Sequence, residues 1–300
     1  MKVKRTYHSL DGTIKYLLEV PGMNETIEAA FIKLPERRDD KPEYVLCLSS
    51  QLGCYYDCRM CANMFSSYKR NLSPNEINDQ IETVLGEDGN LEKITKPGSV
   101  EYAFMGIGEP LFGNRVIRAI SQHKPFVPDT RFSLSTVGAT GSIQRLADSN
   151  LPYPVRLELS LHFSNDQLRN EWIRTDYLFR KRDSQLIIGD MIRESEIYLR
   201  RFGGKVTANY VIIDGINNTP GNISELVDLF SGRKGFYIKV MKPNHTSSFV
   251  DSWKDEFEDI ETYTPEVFKE LLERSGVEAT LFESSGQDIL AGCGMMRNRT

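Results

Sequence analysis

The run YVLCLSSQLGCYYDCRMC, residues 44–61, holds four of the five cysteines in the chain. It begins with an apolar segment that predicts a buried strand and ends in a loop with thiols at Cys54, Cys58 and Cys61. Three thiolates in one loop can bind three irons of a cubane and leave the fourth iron open to another ligand. A structural zinc ion needs a fourth ligand nearby, and the nearest histidines in sequence are His8 and His123. The loop therefore favours an iron–sulfur cluster over zinc or three unrelated buried cysteines.

Segments with strand and helix patterns alternate outward from this loop. Strands are predicted at 44–50, 99–107, 131–138, 155–162, 206–214, 235–241 and 277–283. Helices are predicted between them at 73–85, 114–121, 142–149, 183–202, 222–230 and 264–274. This alternation is typical of a parallel sheet covered by helices, either open or barrel-like. In such folds the reactive residues gather at the C-terminal ends of the strands.

The chain divides into two predicted regions. Residues 1–40 form a small β-rich extension, with an Asp-Gly turn before DGTIKYLLEV and a second apolar run, TIEAAFIKL. The polar stretch 35–43 marks the loop that leads into the main body, residues 41–300.

Composition excludes several classes of protein. With 40% hydrophobic and 26% charged residues the chain is globular rather than disordered. No apolar stretch is long enough to span a membrane, and the N-terminus does not have the pattern of a signal peptide. The net charge of −5, with six acids in the segment 251–261, argues against a generic nucleic-acid binder. Basic residues at 69–70 and 169–182 fit an RNA-binding face or an ordinary solvated face equally well.

Five motifs in order resemble one family. The CxxxCxxC loop resembles the radical S-adenosylmethionine (SAM) superfamily. The segments CLSSQLGCYYDCRMC, MGIGEP, LSTVG, SLHFSND and GQDILAGCG further resemble the RlmN/Cfr family of radical SAM RNA-adenine methyltransferases. This resemblance, from about residue 10 to residue 296, implies a partial (β/α)6 TIM-like barrel with a small N-terminal β extension. It also implies a [4Fe–4S] cluster on Cys54, Cys58 and Cys61, with SAM as the second cofactor.

Two further cysteines carry the predicted methyl transfer. Isolated cysteines are usually small buried hydrophobes, but Cys293 lies in a Gly-Cys-Gly turn that favours reaction over packing. The resemblance implies that Cys293 is methylated and passes the carbon to C2 or C8 of an adenine. It implies that Cys47 then attacks the Cys293 sulfur, releases the base and ends in a disulfide with it.

The same resemblance assigns the remaining site residues. Gly108 and Glu109 are expected at the amino group of SAM, where a carboxylate suits an ammonium. Glu28 matches the family's proton acceptor, although a glutamate on a strand face is usually solvated. The rest of the predicted SAM set comprises Ser135, Ser160, Leu161, His162 and Asn244.

The chain departs from this family in three places. Met60 stands where relatives have an aromatic residue. Met295–Met296 follow the turn Gly292-Cys293-Gly294, which we call the carrier turn. The sequence begins at the β-rich extension, with no segment that resembles the helical RNA-binding domain of the family. Two alternatives to methylation of an RNA (rRNA or tRNA) therefore stay open. One is the same mechanism on a small heteroaromatic molecule or nucleotide. The other is a non-methylating Fe–S or zinc protein that binds RNA or a partner. We also expect the protein to be a monomer in the cytoplasm and to receive its electrons from flavodoxin or ferredoxin.

Overall fold

One sheet of ten strands organises the part of the chain that the computed structural model describes, residues 1–34, 42–175, 186–242, 244 and 261–296. In chain order the strands of this sheet and of two small ribbons are β1 (Lys2–His8), β2 (Ile14–Glu19), β3 (Thr26–Lys33), β4 (Tyr44–Cys47), β5 (Gln51–Leu52), β6 (Tyr56–Cys58), β7 (Arg70–Asn71), β8 (Val100–Phe104), β9 (Arg131–Thr136), β10 (Val155–Ser160), β11 (Ile173–Thr175), β12 (Val206–Val211), β13 (Phe236–Met241) and β14 (Ala279–Phe282). The main sheet has the order β1-β2-β3-β4-β8-β9-β10-β12-β13-β14.

The helices that cover the sheet lie between its parallel strands, as the alternating pattern predicts. They are α1 (Pro74–Gly86), α2 (Asn90–Lys93), α3 (Arg115–Gln122), α4 (Ser142–Asp148), α5 (Asp166–Trp172), α6 (Ile188–Phe202), α7 (Pro220–Phe230) and α8 (Pro265–Arg274). The start of α1 follows directly from local sequence, because Ser73 and Glu76 form a reciprocal capping box around Pro74. No helix in the described ranges is long and apolar enough to cross a membrane.

The strands β4, β8, β9, β10, β12, β13 and β14 run parallel to one another, which confirms the predicted α/β class. Within the described residues this gives seven parallel strands, one more than the family resemblance implied, because β14 adds to the edge of β13. Side chains from this sheet and its helices pack into a single large apolar core.

The N-terminal extension is an antiparallel continuation of the same sheet. Ala30 on β3 pairs with Cys47 on β4, and Cys47 pairs in turn with Ala103 on β8. Tyr16 and Phe31 lie in the same apolar core as residues of the main body. The predicted division at residue 40 stays a prediction, and residues 35–41 of the loop lie outside the described ranges. The same holds for residues 251–260 of the acidic segment, 176–182 of the basic one and 183–185 of the predicted helix 183–202.

Candidate active site

A cavity of about 640 Å³ opens at the C-terminal ends of the parallel strands. It collects most of the residues that the sequence assigns to the site. Those that line it are Cys54, Cys58, Cys61, Gly108, Glu109, Ser135, Ser160, His162, Asn244 and Cys293. The rule that parallel sheets place chemistry at this edge therefore holds for this chain.

The cysteine loop is folded over the strand ends by two short ribbons. The strand β6 pairs with β11, which places Cys58 opposite Ile173. Gly53 has a φ of +73°, and a Cβ atom at this position would lie 2.1 Å from the carbonyl oxygen of Ser67. Only glycine fits this conformation and this close approach, so Gly53 fixes how the loop enters the site.

The third cysteine of the loop caps a short 3₁₀ helix, residues Ala62–Phe65. The Cys61 sulfur accepts hydrogen bonds from the backbone N–H of Asn63 at 3.5 Å and from its side-chain amide at 3.7 Å. These donors stabilise a thiolate at Cys61, which is the form that binds metal.

The three loop cysteines suit a cubane better than a single metal ion. Within the described residues, no set of three or more His, Cys, Asp and Glu side chains converges closely enough to hold one ion. A cubane instead offers a separate iron to each thiolate, so its ligands need only share one wall of a cavity. Burial raises the pKa of Cys54, Cys58 and Cys61, and neighbouring thiols raise that of Cys58 further. Cationic iron would offset both effects, which makes this loop a fitting place for the cluster.

Glu109 is held rigidly at the edge of the cavity. Its Oε1 atom accepts hydrogen bonds from the Thr136 hydroxyl at 2.5 Å and the Leu111 N–H at 3.0 Å. Its Oε2 atom accepts one from the Val137 N–H at 2.9 Å. A carboxylate has about four acceptor sites, so capacity remains for a ligand ammonium. Burial raises the pKa of Glu109, and these donors oppose that rise.

The rest of the predicted SAM set divides by position. The hydroxyl oxygens of Ser135 and Ser160, on neighbouring strands, lie 3.1 Å apart. His162 lines the cavity but accepts a hydrogen bond from the Val211 N–H at its Nδ1, and burial lowers its pKa to about 3, so it is neutral. Leu161 is fully buried and does not line the cavity, and its contact with SAM stays a prediction.

The carrier turn is positioned by side chains from two other segments. Asn244 donates a hydrogen bond to the Cys293 carbonyl at 2.8 Å, and Ser284 accepts one from the Cys293 N–H at 3.3 Å. A Cβ atom on Gly292 would lie 2.9 Å from the Met295 sulfur, so a side chain there would push this turn out of place. The half-buried Cys293 side chain reaches the cavity in this arrangement.

The N-terminal extension holds the segment that leads into this turn. Ser9 donates a hydrogen bond to Asp288 at 2.6 Å, and Asp11 accepts one from the Gly286 N–H at 2.7 Å. Lys15 donates to the Leu290 carbonyl at 3.2 Å. The hairpin between β1 and β2 thus clamps the chain just before Cys293.

Cys47 lies behind the carrier turn rather than in the cavity lining. It is buried in a small apolar cluster with Ala30, Ile107, Ala291 and Met296. Burial raises its pKa to about 12, and negative charge on Cys293 contributes, so the two thiols are electrostatic neighbours.

The structure corrects the expectation of a disulfide between Cys47 and Cys293. All five cysteines are free. The Cys293 thiol instead interacts with the Ser284 hydroxyl, which lowers a pKa that burial raises. The Cys47–Cys293 bond implied by the resemblance is therefore not part of the protein in this state.

Glu28 is not a solvated residue on a strand face. It is 1% exposed and lies 3.5 Å from the ammonium of Lys15. Its neighbour two residues on, Ala30, pairs with Cys47, so Glu28 is on the Cys47 face of the sheet. It does not line the cavity, and its role as proton acceptor stays a prediction.

A charge network around Glu158, which is buried and lines the cavity, escaped the sequence analysis. Glu158 accepts hydrogen bonds from Lys239 at 2.9 Å and from Asn209 at 3.0 Å. Arg156 bridges Glu158 at 3.0 Å and Glu101 at 2.7 Å. Burial raises the pKa of Glu158, but its cationic neighbours outweigh this and lower it overall. The sequence signal for this network was the presence of charged residues at every second position of these strands, with apolar residues between them.

The basic segment was read incorrectly at one position. Arg169 is neither a solvated residue nor part of an RNA-binding face, because it is 0% exposed. Its guanidinium group bonds to main-chain carbonyls near the ends of β9 and β10. No sequence pattern indicates this burial, since Arg169 lies among polar residues of α5.

Known proteins are similar over nearly the whole chain. Residues 48–227 match the Radical SAM superfamily. The dual-specificity RNA methyltransferase RlmN of Campylobacter jejuni is 30% identical over 100% of this chain and 82% of that protein. A probable RlmN of Dictyoglomus turgidum is 33% identical over 96% of this chain and 76% of that protein.

A solved structure agrees with these sequences. A radical SAM methyltransferase from Sphaerobacter thermophilus has a TM-score of 0.76 and 28% identity, and the match covers 98% of this chain and 80% of that one. The expected cofactors, a [4Fe–4S] cluster and SAM, are those of the radical SAM superfamily. The chain therefore belongs to the radical SAM superfamily and, within it, to the RlmN family of methyltransferases.

Proposed function

We propose that this enzyme methylates C2 or C8 of an adenine in RNA and that Cys293 carries the methyl group. The placement of Cys293 supports this most directly, because it lines the same cavity as the three loop cysteines. Cys47 lies behind Cys293, and Cys293 contributes electrostatically to its pKa. This is the position in which a resolving thiol is needed. The relatives named RlmN are RNA methyltransferases, which favours RNA as the substrate class.

The cluster on Cys54, Cys58 and Cys61 supplies, when bound, the electron that cleaves SAM. Glu109 holds the ammonium of SAM, since its oxygens are fixed by the strand-end donors and one acceptor site remains free. Cys293 loses its proton and attacks the methyl carbon of one SAM molecule, which forms the thioether and releases S-adenosylhomocysteine. The Ser284 hydroxyl favours the Cys293 thiolate for this step.

Carbon transfer follows from the carrier thioether. A hydrogen atom passes from S-methyl-Cys293 to the 5′-deoxyadenosyl radical that a second SAM molecule would supply, and the methylene radical left behind adds to the electron-poor ring carbon. The adduct then loses a ring proton and one electron, which the oxidised cluster would take back, so that aromaticity is restored and a covalent link through Cys293 remains. Glu28 is the proposed proton acceptor, from its position on the Cys47 face of the sheet.

Cys47 completes the reaction. Its thiolate attacks the Cys293 sulfur and forms a sulfur–sulfur bond during turnover, the carbon–sulfur bond breaks, and the departing carbon takes up a proton to become a methyl group. Burial is the largest cause of the raised pKa of Cys47, so Cys47 is protonated in the resting protein.

The test is to trap the adduct in the Cys47→Ala variant. Without the second thiol the thioether cannot be opened, so the substrate should remain attached to Cys293. The variant is purified from cells and digested with nuclease and protease, and the Cys293 peptide is analysed by mass spectrometry. The double variant Cys47→Ala/Cys293→Ala is the matched control and should carry nothing.

Each outcome is decisive. An adenine nucleotide with flanking RNA sequence supports the proposal and identifies the site. A heteroaromatic fragment without ribose-phosphate would instead assign a small-molecule substrate to the same mechanism. No adduct on an enzyme that cleaves SAM and methylates Cys293 would overturn Cys47 as the resolving residue.

A further inference from the structure

A fully buried arginine lies next to the cysteine loop and has no place in the mechanism above. The Nε atom of Arg169 donates to the Leu161 carbonyl at 3.1 Å. One terminal nitrogen donates to the carbonyls of Ser160, at 3.0 Å, and Val137. These bonds anchor the guanidinium group beneath the ends of β9 and β10, and Arg169 does not line the cavity.

The hydrogen bonds do not fully compensate the burial of this charge. The other terminal nitrogen, Nη1, has no hydrogen-bond partner within the described part of the chain. Burying a cation costs several kcal/mol unless negative charge lies close by. Burial lowers the pKa of Arg169 to about 10, and charge on Tyr56, Cys58, Asp166 and Glu109 opposes this. The negative partners of Arg169 are thus mostly groups of the cofactor site.

Backbone pairing fixes this proximity to the cysteine loop. Arg169 lies in the last turn of α5, which runs directly into β11. In β11, Ile173 pairs with Cys58, and the Arg59 N–H donates to the Trp172 carbonyl at 2.9 Å. The helix that carries the guanidinium group is therefore hydrogen-bonded to the segment that carries a cluster ligand.

We propose that Arg169 is the fixed positive charge that sets the reduction potential of the cluster. When the cluster takes up one electron from a low-potential one-electron donor, it gains one negative charge and no bond is broken. A buried cation beside a ligand stabilises that added charge, because little solvent screens it. This function does not depend on the carrier role of Cys293 and holds whichever substrate the enzyme uses.

Two substitutions separate charge from packing. Arg169→Gln removes the charge, so at a fixed solution potential the ratio of reduced to oxidised cluster should fall at least about tenfold. For a one-electron couple this corresponds to a lowering of the midpoint potential by about 59 mV. Arg169→Lys keeps the charge but loses the forked hydrogen bonds, so its midpoint should stay near that of the wild type although the protein is less stable. Midpoints are read from the electron paramagnetic resonance signal during titration with dithionite, after iron content is matched.

The matched control is Arg145→Gln. Arg145 also donates to main-chain carbonyls, those of Gly141 and Leu111, but it is exposed, so solvent and salt screen its charge. Its loss should leave the midpoint unchanged. An equal shift in this control and in Arg169→Gln, or a shift in Arg169→Lys as large as in Arg169→Gln, would overturn the proposal.

A second variant decides the matter if Arg169→Gln fails to assemble a cluster. Asp166 is an exposed carboxylate whose charge reaches Arg169, and its Oδ1 atom accepts a hydrogen bond from the Ile188 N–H at 2.8 Å. Asp166→Asn keeps this acceptor and removes a negative charge, so the midpoint should become more positive at low ionic strength. A midpoint that does not move, or moves the other way, rules out control by this charged pair.

Discussion

The side-chain amide of Asn63 donates a hydrogen bond to the main-chain carbonyl of Met296 at 2.7 Å, and so joins the cysteine loop to the carrier segment. The neighbouring Ala62 N–H donates to the Gly294 carbonyl, also at 2.7 Å. Because Asn63 also bonds the Cys61 sulfur, a cluster ligand and the carrier turn share one support.

Asn63→Ala should therefore separate cluster binding from methyl transfer. The three cysteines and the backbone donor to Cys61 remain, so iron uptake should be unchanged. Methylation of Cys293 should slow at least about tenfold, since a misplaced acceptor loses the near-attack geometry. The control is Asn78→Ala, which removes an amide bond to the Ala119 carbonyl in another part of the fold. Equal loss in both variants would assign the effect to stability instead.

Substitution of any loop cysteine should abolish the cofactor. Anaerobically reconstituted wild-type protein should hold about four irons on three protein ligands and cleave SAM reductively. Cys54→Ser, Cys58→Ser and Cys61→Ser should each lose the iron and the cleavage, whereas Cys47→Ser should retain both. Stoichiometric zinc without iron uptake would contradict the cluster assignment.

Cys293 should gain one methyl group when the reconstituted protein is incubated with SAM. The modification is read from intact mass and located by peptide mapping. Cys293→Ala should still cleave SAM but accept no methyl, because the loop cysteines and Glu109 are untouched. Methylation at another residue would leave the superfamily assignment intact and remove the carrier mechanism.

Gly53→Ala should disrupt the cysteine loop. The added Cβ atom meets the Ser67 carbonyl at 2.1 Å, and the φ of +73° is unfavourable for any side chain. We expect a loss of at least about 1–3 kcal/mol of stability and poor cluster reconstitution. Gly113→Ala is the matched control, with a φ of +85° and its nearest contact at 3.6 Å. A melting temperature and an iron content equal in the two variants would show that the clash is relieved without cost.

Local chemistry explains what could be predicted from sequence. Ser73, Pro74 and Glu76 specify the start of α1 by themselves, and the spacing of the loop cysteines specifies a shared site. The side-chain contacts of the barrel strands were harder to predict from the sequence, because Arg156 and Glu158 look like the solvated face of a strand. Glu158 instead lines the cavity, where it pairs with Lys239 and Arg156 rather than with water. Arg169 was misread because it lies among polar residues of α5.

Contacts between distant parts of the chain set the other limit. The bond from Asn63 to Met296 joins segments more than two hundred residues apart, and no periodic pattern records it. The sequence predicts the seventh parallel strand, β14, as a strand at 277–283, but it does not show where this strand joins the sheet. Its four residues pair with β13 only because α8 brings them to the sheet edge.

The clamp between the first hairpin and the carrier segment limits how this enzyme can be recombined with its relatives. Ser9, Asp11 and Lys15 bond side chains or backbone of residues 286–290, immediately before Cys293. A chimera that takes its hairpin from one parent and its C-terminal segment from another would break these bonds even if every strand were conserved. The two segments must be inherited from the same parent, so crossovers between residues 20 and 280 must come in pairs.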